Sequence, residues 1–401
     1  MAWISGRLKL RPLLPSITNS LRCFSSASAI LNPDNPTVPL SGKQKSRMAL
    51  SLLKFEKNPD TVLSICRAAA LTPDTHLDRL AFSAAMYSLS STSSFIAVRS
   101  CINELLDLKN DRHRAHAIVL FGQARLLDDA IRLFDEMSSP SLKCFNSLLF
   151  AGVVAKKHGD VARIFKEYPK ARGLEPDVDS YNNVILSFCE SGSSRSVYSL
   201  LDEMTKKGIK PNVTSYNNLI TGLCREGNGD DVDKVLEMMK ANDCNPLVST
   251  YNRIIKGLCK MNKSVEAKNL LEKMIKMRNV KPNVVTYQHL INGFCKESNL
   301  EEAKKLFADM DHRKGCVPDS YCYFVIIYYL CKGGEFEDAL NFCKKSIEKN
   351  WVPRFTTMKT LVKGLVDSSK MEEAKEIAEA VKDKFPNNAE MWKEVDELLS
   401  T

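Results

Sequence analysis

The chain has 401 residues, of which 57 are Lys or Arg and 48 are Asp or Glu, so its formal net charge is +9. An apolar content of 44% and a charged content of 26% are ordinary for a folded protein. No run of apolar residues approaches the length of about 20 that a bilayer-spanning helix needs, so we expect no transmembrane segment and no membrane partner.

The first 30 residues differ in composition from the rest of the chain. They contain four basic residues, several serines and no acidic residue. This composition is typical of an organelle transit peptide, although a disordered basic tail would share it. Arg22, two residues before Phe24, resembles a mitochondrial presequence cleavage site. We therefore predict a transit peptide over 1–30, cleavage near Phe24-Ser25, a location in the mitochondrial matrix and a linker over 31–40.

Residues 41–110 contain helical patterns of irregular sequence. They divide into two predicted helix pairs, 41–74 and 75–110, and a shorter pair follows over 111–141. Because these pairs match the later pattern less closely, we expect 41–110 to form divergent N-terminal helical repeats.

A ladder of prolines marks the chain from residue 140 onward. Its members lie 35 or 36 residues apart: Pro140, Pro176, Pro211, Pro246, Pro282, Pro318 and Pro353. A fixed period of this size indicates helical repeats that each pack only on their neighbours. The chain is therefore expected to act through an extended surface and not through one pocket.

The unit that follows Pro211 shows the pattern within one period. Its first half places five residues on one helix face: Tyr216, Leu219, Ile220, Leu223 and Cys224. Gly227 interrupts this pattern, a second apolar period begins at Val232, and Pro246 ends it. We therefore predict an all-α, right-handed α-solenoid of about ten antiparallel helix pairs, closed by a capping helix over 390–401.

Five of the thirteen cysteines fall at the same point of successive units. They are Cys189, Cys224, Cys259, Cys295 and Cys331. A cysteine at one phase of every helix is typical of a packing residue, and the chain contains no CxxC pair. We expect reduced core thiols, without disulfides and without a thiolate metal site.

The residues inside the units resemble the pentatricopeptide repeat. The resemblance rests on VTSYNNLITGLC at 213–224, VVTY at 284–287, GFCK at 293–296, EEAKKLF at 301–307 and the endings KPN at 210–212 and 281–283. It covers residues 111–389. The uniform unit length resembles the P-type subclass, whose members are mostly plant organelle proteins that bind RNA.

In that family each unit reads one RNA base with its fifth and its last residue. Carried onto this chain, the resemblance implies the pairs Asn146 with Asp177, Asn182 with Asn212, Asn217 with Leu247, Asn252 with Asn283, Gln288 with Asp319, and Phe324 with Arg354. Family preferences imply a pyrimidine-leaning single-stranded RNA: uracil for Asn with Asp, and cytosine or uracil for two Asn. The RNA 5′ side would face the N-terminal units. The pairs with Leu247, Phe324 and Arg354 depart from the family's readers, and an Asn near a helix start could instead bind free backbone N–H groups.

A basic stripe is the second feature that indicates RNA. The residue after the core cysteine is basic in four successive units: Arg225, Lys260, Lys296 and Lys332. Charges at one phase of successive helices form a row suited to phosphate contacts, although a solvated helix face is the alternative. The same phase holds Val154 and Glu190 in the two preceding units, so the row covers part of the array.

No catalytic motif is present. The chain lacks a phosphate-binding GxxxxGK[ST] loop, an HExxH helix and the zinc deaminase signature. His113 and His116 share a helix face, but the pattern places no third ligand near them. We therefore expect no enzymatic activity, no cofactor, no metal site and no small-molecule substrate.

Two functions follow from the resemblance and the surface residues. One is a mitochondrial adaptor that holds single-stranded RNA and affects its stability, processing or translation. The alternative is a structural component of the mitochondrial ribosome small subunit that binds rRNA and ribosomal proteins with little sequence reading. Residues 49–59 carry the strongest likeness to short P-type proteins of plant mitoribosomes.

Overall fold

The structure is a computed structural model that describes residues 41–277, 279–311, 316–382, 384 and 389–400. Every regular element in these ranges is a helix. The α-helices are α1 Gly42–Leu53, α2 Pro59–Ala68, α3 His76–Ser91, α4 Phe95–Leu105, α5 Asp111–Gln123, α6 Leu127–Asp135, α7 Leu142–Val154, α8 His158–Arg172, α9 Val178–Glu190, α10 Val197–Lys206, α11 Val213–Arg225, α12 Val232–Ala241, α13 Val248–Lys260, α14 Ser264–Lys276, α15 Val284–Lys296, α16 Leu300–Asp311, α17 Ser320–Gly333, α18 Phe336–Glu348, α19 Phe355–Asp367, α20 Met371–Lys382 and α21 Ala389–Ser400. Short 3-10 turns precede α10 and α12.

The helices from α1 to α20 form ten consecutive pairs, and α21 follows the last pair. This confirms the prediction of an all-helical chain of about ten antiparallel pairs. The predicted transit peptide, its cleavage site and the linker lie outside the described residues. The described chain divides into two compact units between Ser187 and Phe188.

The ladder prolines set the start of the first helix in each pair. From α7 to α19, each first helix begins two residues after a proline. Proline cannot continue the preceding helix, and the residue after it takes an extended conformation. Asn212 and Asn283 occupy that position, and their side chains accept hydrogen bonds from backbone N–H groups of the following first turn.

The first helices of successive pairs pack on one another and form the core. In the second compact unit, α11 contacts α13, and the series of contacts continues through α15, α17 and α19 to α21. The second helices contact their own first helix and often the next one. Tyr216, Leu219 and Ile220 of α11 are buried in this seam. Each pair therefore buries its apolar face mainly against its sequence neighbours.

The twelve cysteines of the described residues are all free and buried, as the packing interpretation predicts. Three of those at the repeated phase, Cys189, Cys224 and Cys259, lie against a glycine of the next first helix. A Cβ atom on Gly257 would lie 2.3 Å from Cys224 Sγ, and one on Gly293 would lie 2.5 Å from Cys259 Sγ. Glycine is therefore required where these helices approach most closely. Burial raises the pKa of Cys224 to about 11, so this thiol stays protonated near neutral pH.

Candidate nucleic-acid interface

The predicted base-reading residues occupy two different environments. The fifth residues of five units are buried and less than 10% exposed: Asn146, Asn182, Asn217, Asn252 and Gln288. The last residues are more accessible, since Asn212 and Asn283 are exposed and Asp177 and Asp319 are half-buried. A ligand at this surface would therefore meet the last residue of a unit more readily than the fifth.

The pair Asn146 and Asp177 is joined directly, although 31 residues separate its members in sequence. Asn146 Nδ2 donates to Asp177 Oδ1 at 3.0 Å. Ser180 Oγ donates to Asn146 Oδ1 at 2.5 Å, so both ends of the amide have partners. The Ser180 backbone N–H also donates to Asp177 Oδ1, at 2.9 Å. These bonds fix which end of the amide faces the carboxylate.

The pair Asn252 and Asn283 repeats this arrangement in the second compact unit. Asn252 Nδ2 donates to Asn283 Oδ1 at 3.2 Å, and Thr286 Oγ1 donates to Asn252 Oδ1 at 2.7 Å. Thr286 was not among the predicted site residues. A repeated signal marks its position, because the third residue of four successive units is a buried hydroxyl residue: Ser180, Ser215, Thr250 and Thr286.

The pair Gln288 and Asp319 shows that a longer amide makes the same bond. Gln288 Nε2 donates to Asp319 Oδ2 at 2.9 Å. Asp319 Oδ1 accepts from the backbone N–H of Cys322 at 3.2 Å. The carboxylate therefore joins the buried amide of its own unit to the first turn of the next unit.

Two of the remaining pairs differ from this arrangement. Leu247 is 52% exposed, and Asn217 Oδ1 is buried without a hydrogen-bond partner among the described residues. Asn182 is buried, and Asn212 caps α11. Phe324 is half-buried and Arg354 is exposed. Among the contacts that the structure describes, the direct bond joins Asn146 to Asp177, Asn252 to Asn283, and Gln288 to Asp319.

The alternative interpretation of a fifth residue as a helix cap is wrong for Asn252. Its amide group binds the side chains of Asn283 and Thr286, and the capping bond to the next helix comes from the last residue instead. Asn283 Oδ1, for example, accepts from the Thr286 backbone N–H at 3.2 Å. The last residue of a unit therefore has two structural bonds and still reaches solvent.

The four residues of the predicted basic stripe are all exposed. Arg225, Lys260 and Lys296 are the last residues of α11, α13 and α15, and Lys332 lies in the last turn of α17. None of the four has an acidic group within ion-pair distance in the described part of the chain. Positive groups at helix C-termini suit the helix dipole and remain available to an anionic ligand.

Several basic residues of the second helices contrast with the stripe, because they form ion pairs between neighbouring repeats. Lys268 lies 2.5 Å from Glu302, and Lys344 lies 2.6 Å from Glu376. Lys304 contacts three carboxylates, and its hydrogen bonds to them raise its pKa above the ordinary lysine value. These three lysines therefore already have acidic partners among the described residues, unlike the four residues of the stripe.

The described residues contain no group of three potential metal ligands. Burial lowers the pKa of His116 to about 4, so this imidazole is neutral at neutral pH. His113 Nε2 lies 3.7 Å from Asp74 Oδ1. None of the described helices is both long enough and apolar enough to cross a membrane.

Three family models, all of the pentatricopeptide repeat, together match residues 117–332 of the chain. The model of the pentatricopeptide repeat domain matches residues 132–191 and 199–261, that of the PPR repeat family matches 246–296 and 282–332, and that of the PPR repeat matches 117–139 and 179–209. A mitochondrial pentatricopeptide repeat-containing protein of Arabidopsis thaliana is 44% identical over 401 residues, which is 98% of each chain. The chain belongs to the pentatricopeptide repeat family.

Other relatives share a smaller part of this pentatricopeptide repeat protein. The small ribosomal subunit protein mS78 of Arabidopsis thaliana is 29% identical over 198 residues, which is 47% of this chain and 49% of the relative. Among solved structures, the pentatricopeptide repeat protein PPR10 from maize aligns with a TM-score of 0.41 and 16% identity, over 90% of this chain and 64% of that one.

Proposed function

We propose that this pentatricopeptide repeat protein is a non-catalytic, single-stranded RNA-binding protein of the mitochondrion. The observation that carries the proposal is the row of joined side chains, in which fifth and last residues share a direct hydrogen bond in three units. The 44% identical relative is named as mitochondrial, which supports the compartment.

The chemistry of the row suits base edges. Asn283 and Asp319 keep solvent-accessible surface while a buried amide holds each of them from beneath. A carboxylate accepts hydrogen bonds only, whereas an amide both donates and accepts. Successive units therefore present different hydrogen-bonding groups at equivalent positions. This supports a pyrimidine-leaning preference with one base for each intact pair.

The basic stripe supplies the sequence-independent part of the proposed binding. Its residues are exposed and lack acidic partners among the described residues, so they can approach phosphates without breaking an existing ion pair. Lys260 and Lys296 of the stripe lie on α13 and α15, the helices that also carry Asn252 and Gln288 of the row. We therefore assign base contacts to the row and phosphate contacts to the stripe.

The stripe is tested by replacing Lys260, Lys296 and Lys332 with Ala and measuring binding to a pyrimidine-rich RNA across salt concentrations. We expect weaker binding and a salt slope shallower by about 2, since each contact to a single strand contributes about 0.7. The matched control replaces three exposed lysines in the last turns of second helices with Ala: Lys240, Lys273 and Lys345. Equal slopes for the two triple variants, or no RNA binding by the unmodified protein, would contradict the proposal.

A second candidate is a structural protein of the mitochondrial ribosome small subunit. The observation that favours it is the similarity to mS78, a small ribosomal subunit protein that shares about half of its length with this chain. Gradient sedimentation after RNase treatment of free transcripts separates the two candidates. A structural subunit remains with the small subunit, whereas an RNA adaptor moves to the light fractions.

A further inference from the structure

The first two helix pairs expose two large aromatic side chains. Phe55 is 85% exposed in the turn after α1, and Tyr87 is 78% exposed near the end of α3. The packing of the repeats buries neither ring, and exposed apolar surface can mark a binding site. The two aromatic rings are therefore a feature that the repeat architecture does not require.

Hydrogen bonds between α1 and α3 place the two rings at the same level. Ser46 Oγ donates to Asp78 Oδ1 at 2.5 Å near the start of both helices. Ser88 Oγ donates to the Glu56 carbonyl oxygen at 2.5 Å near their ends. Each bond joins residues 32 positions apart, so the two helices run parallel in a constant register. Phe55 and Tyr87 are also 32 positions apart in sequence. Their backbone positions therefore lie at the same level of two neighbouring helices, and the axes of such helices are about 8–10 Å apart.

The helix that leads to these rings is strongly basic. Residues 41–57 contain five basic side chains and one acidic side chain, that of Glu56. The basic members are Lys43, Lys45, Arg47, Lys54 and Lys57. None of the five has an acidic group within ion-pair distance in the described part of the chain. Glu56 Oε1 accepts from the backbone N–H groups of residues 57 and 58, so part of its charge is used locally.

The arrangement of the basic side chains extends the aromatic surface along α1. Lys43, Arg47 and Lys54 recur at helical spacing and are all exposed, so they share one face of the helix. On α3, the half-buried Leu80 precedes Tyr87 by two helical turns. The surface therefore combines a row of positive charges with two exposed aromatic side chains at equivalent positions of α1 and α3.

We propose that this surface, formed by Lys43, Arg47, Lys54, Phe55 and Tyr87, is a second RNA-binding site that stacks unpaired bases without reading their sequence. Aromatic platforms beside positive charges bind single strands in this way, because every base offers a π-face and every nucleotide a phosphate. The basic charge favours RNA over an apolar protein partner. The inference rests on the proposed binding of single-stranded RNA, and it adds a contact outside the units that have paired readers.

The test compares the unmodified full-length chain with a variant in which Phe55 and Tyr87 are both Ala. Binding is measured by fluorescence anisotropy with a uridine-rich RNA and with the same RNA lengthened by about six nucleotides at one end or the other, within the range of single-strand site sizes. One of the two extensions should raise the affinity of the unmodified protein at least tenfold, and the double variant should lose this gain. Both side chains are exposed, so the substitutions should leave the helical circular dichroism signal unchanged.

Two matched variants separate stacking from other effects. Phe55→Tyr combined with Tyr87→Phe keeps both rings and should retain the gain. Ile96→Ala removes an 82% exposed apolar side chain from α4 and should also retain it. Loss of the gain in the Ile96 variant would indicate a general apolar surface and overturn the proposal.

The remaining outcomes distinguish this proposal from the function proposed for the array. If the Phe55 and Tyr87 variant binds both lengths as the unmodified protein does, while the stripe variant is weakened, only the second site is overturned. If the Phe55 and Tyr87 variant instead keeps its RNA affinity but loses a protein partner that resists RNase treatment, the surface is a protein-docking site and the proposal fails. An unmodified protein that binds neither RNA overturns both.

Discussion

At the scale of single residues, the side chain at the end of a repeat has a structural role and a proposed role in base contact. Asn283 accepts a hydrogen bond from the first turn of α15 and another from the buried amide of Asn252. The exposed remainder of the same side chain is the proposed contact with a base. A substitution at this position can therefore change stability, base preference or both, depending on which atoms it keeps.

Replacing Asn283 with Asp should separate these roles. Asp and Asn cap helices about equally well, so the free energy of unfolding should change by less than about 0.5 kcal/mol, whereas Asn283→Ala should cost about 1 kcal/mol. The bond from Asn252 should persist, since Asn146 makes the same bond to Asp177. A carboxylate accepts from the N3–H of uracil but meets an acceptor at N3 of cytosine, so uracil should gain by about 1 kcal/mol at one RNA position.

Urea unfolding and binding to RNAs that differ at one pyrimidine check this prediction. Asn283→Ala provides the comparison that removes the cap and the reader together. If Asn283→Asp leaves the uracil-to-cytosine ratio unchanged at every position, Asn283 is a helix cap and not a reader.

At the scale of helices, the proline ladder made the fold predictable from the sequence. The apolar pattern from Tyr216 to Cys224 predicted a helix that the structure places at Val213–Arg225. The repeated cysteines were correctly interpreted as buried packing residues, because a side chain at one phase of every helix must face the same neighbour.

The contacts within the candidate site were less predictable. The bond between Gln288 and Asp319 spans 31 residues, so it depends on how two helices meet and not on a local pattern. Ion pairs such as Lys268 with Glu302 also depend on the packing of neighbouring repeats. Sequence phase identified the exposed lysines of the stripe, but only the structure shows which lysines have acidic partners.

The close approach of first helices leads to a test of the packing at Gly257. An added Cβ would lie 2.3 Å from Cys224 Sγ, so Gly257→Ala should lower the free energy of unfolding by about 1–3 kcal/mol. Cys224→Ala in the same protein should recover only part of this loss, because it removes Sγ but keeps Cys224 Cβ, which would lie 2.5 Å from the added Cβ. The coupling is measured by urea unfolding of both single variants and the double variant.

Gly159→Ala is the matched control for this prediction. Gly159 also lies within a helix, α8, but nothing lies within 4 Å of its added Cβ. Alanine should therefore be neutral or stabilise the protein by less than about 1 kcal/mol. If both glycine variants unfold at the same urea concentration, close helix packing does not determine the need for glycine at Gly257.

At the scale of the whole molecule, the core of the second compact unit concentrates buried thiols. Burial raises the pKa to about 11 or about 12 for six cysteines that lie within the second compact unit: Cys189, Cys224, Cys259, Cys295, Cys331 and Cys343. Each raised pKa adds a pH-dependent contribution to the stability of one repeat. Because the repeats stack into a common core, their pH dependences add within that unit.

The stability of the second unit should therefore fall in alkaline solution. An unfolded thiol loses its proton near pH 9, whereas the buried thiols hold theirs to about pH 11 or 12. Between these values the unfolded state binds fewer protons than the folded state, so the free energy of unfolding decreases as pH rises. The stabilisation is complete below about pH 9, and each thiol costs up to about 1.4 kcal/mol per pH unit above it.

Cys295→Ala provides the matched comparison, because it removes one titrating group of the seam. Urea unfolding at pH 8 and pH 10 should show a loss that is smaller in this variant by about 1.4 kcal/mol, even though its stability at pH 8 is lower. The difference between the two pH values cancels the cost of the cavity, which is the same at both. An equal loss in the two proteins would mean that the Cys295 thiol titrates alike in the folded and unfolded states, and the buried seam would then not be the source of the alkaline sensitivity.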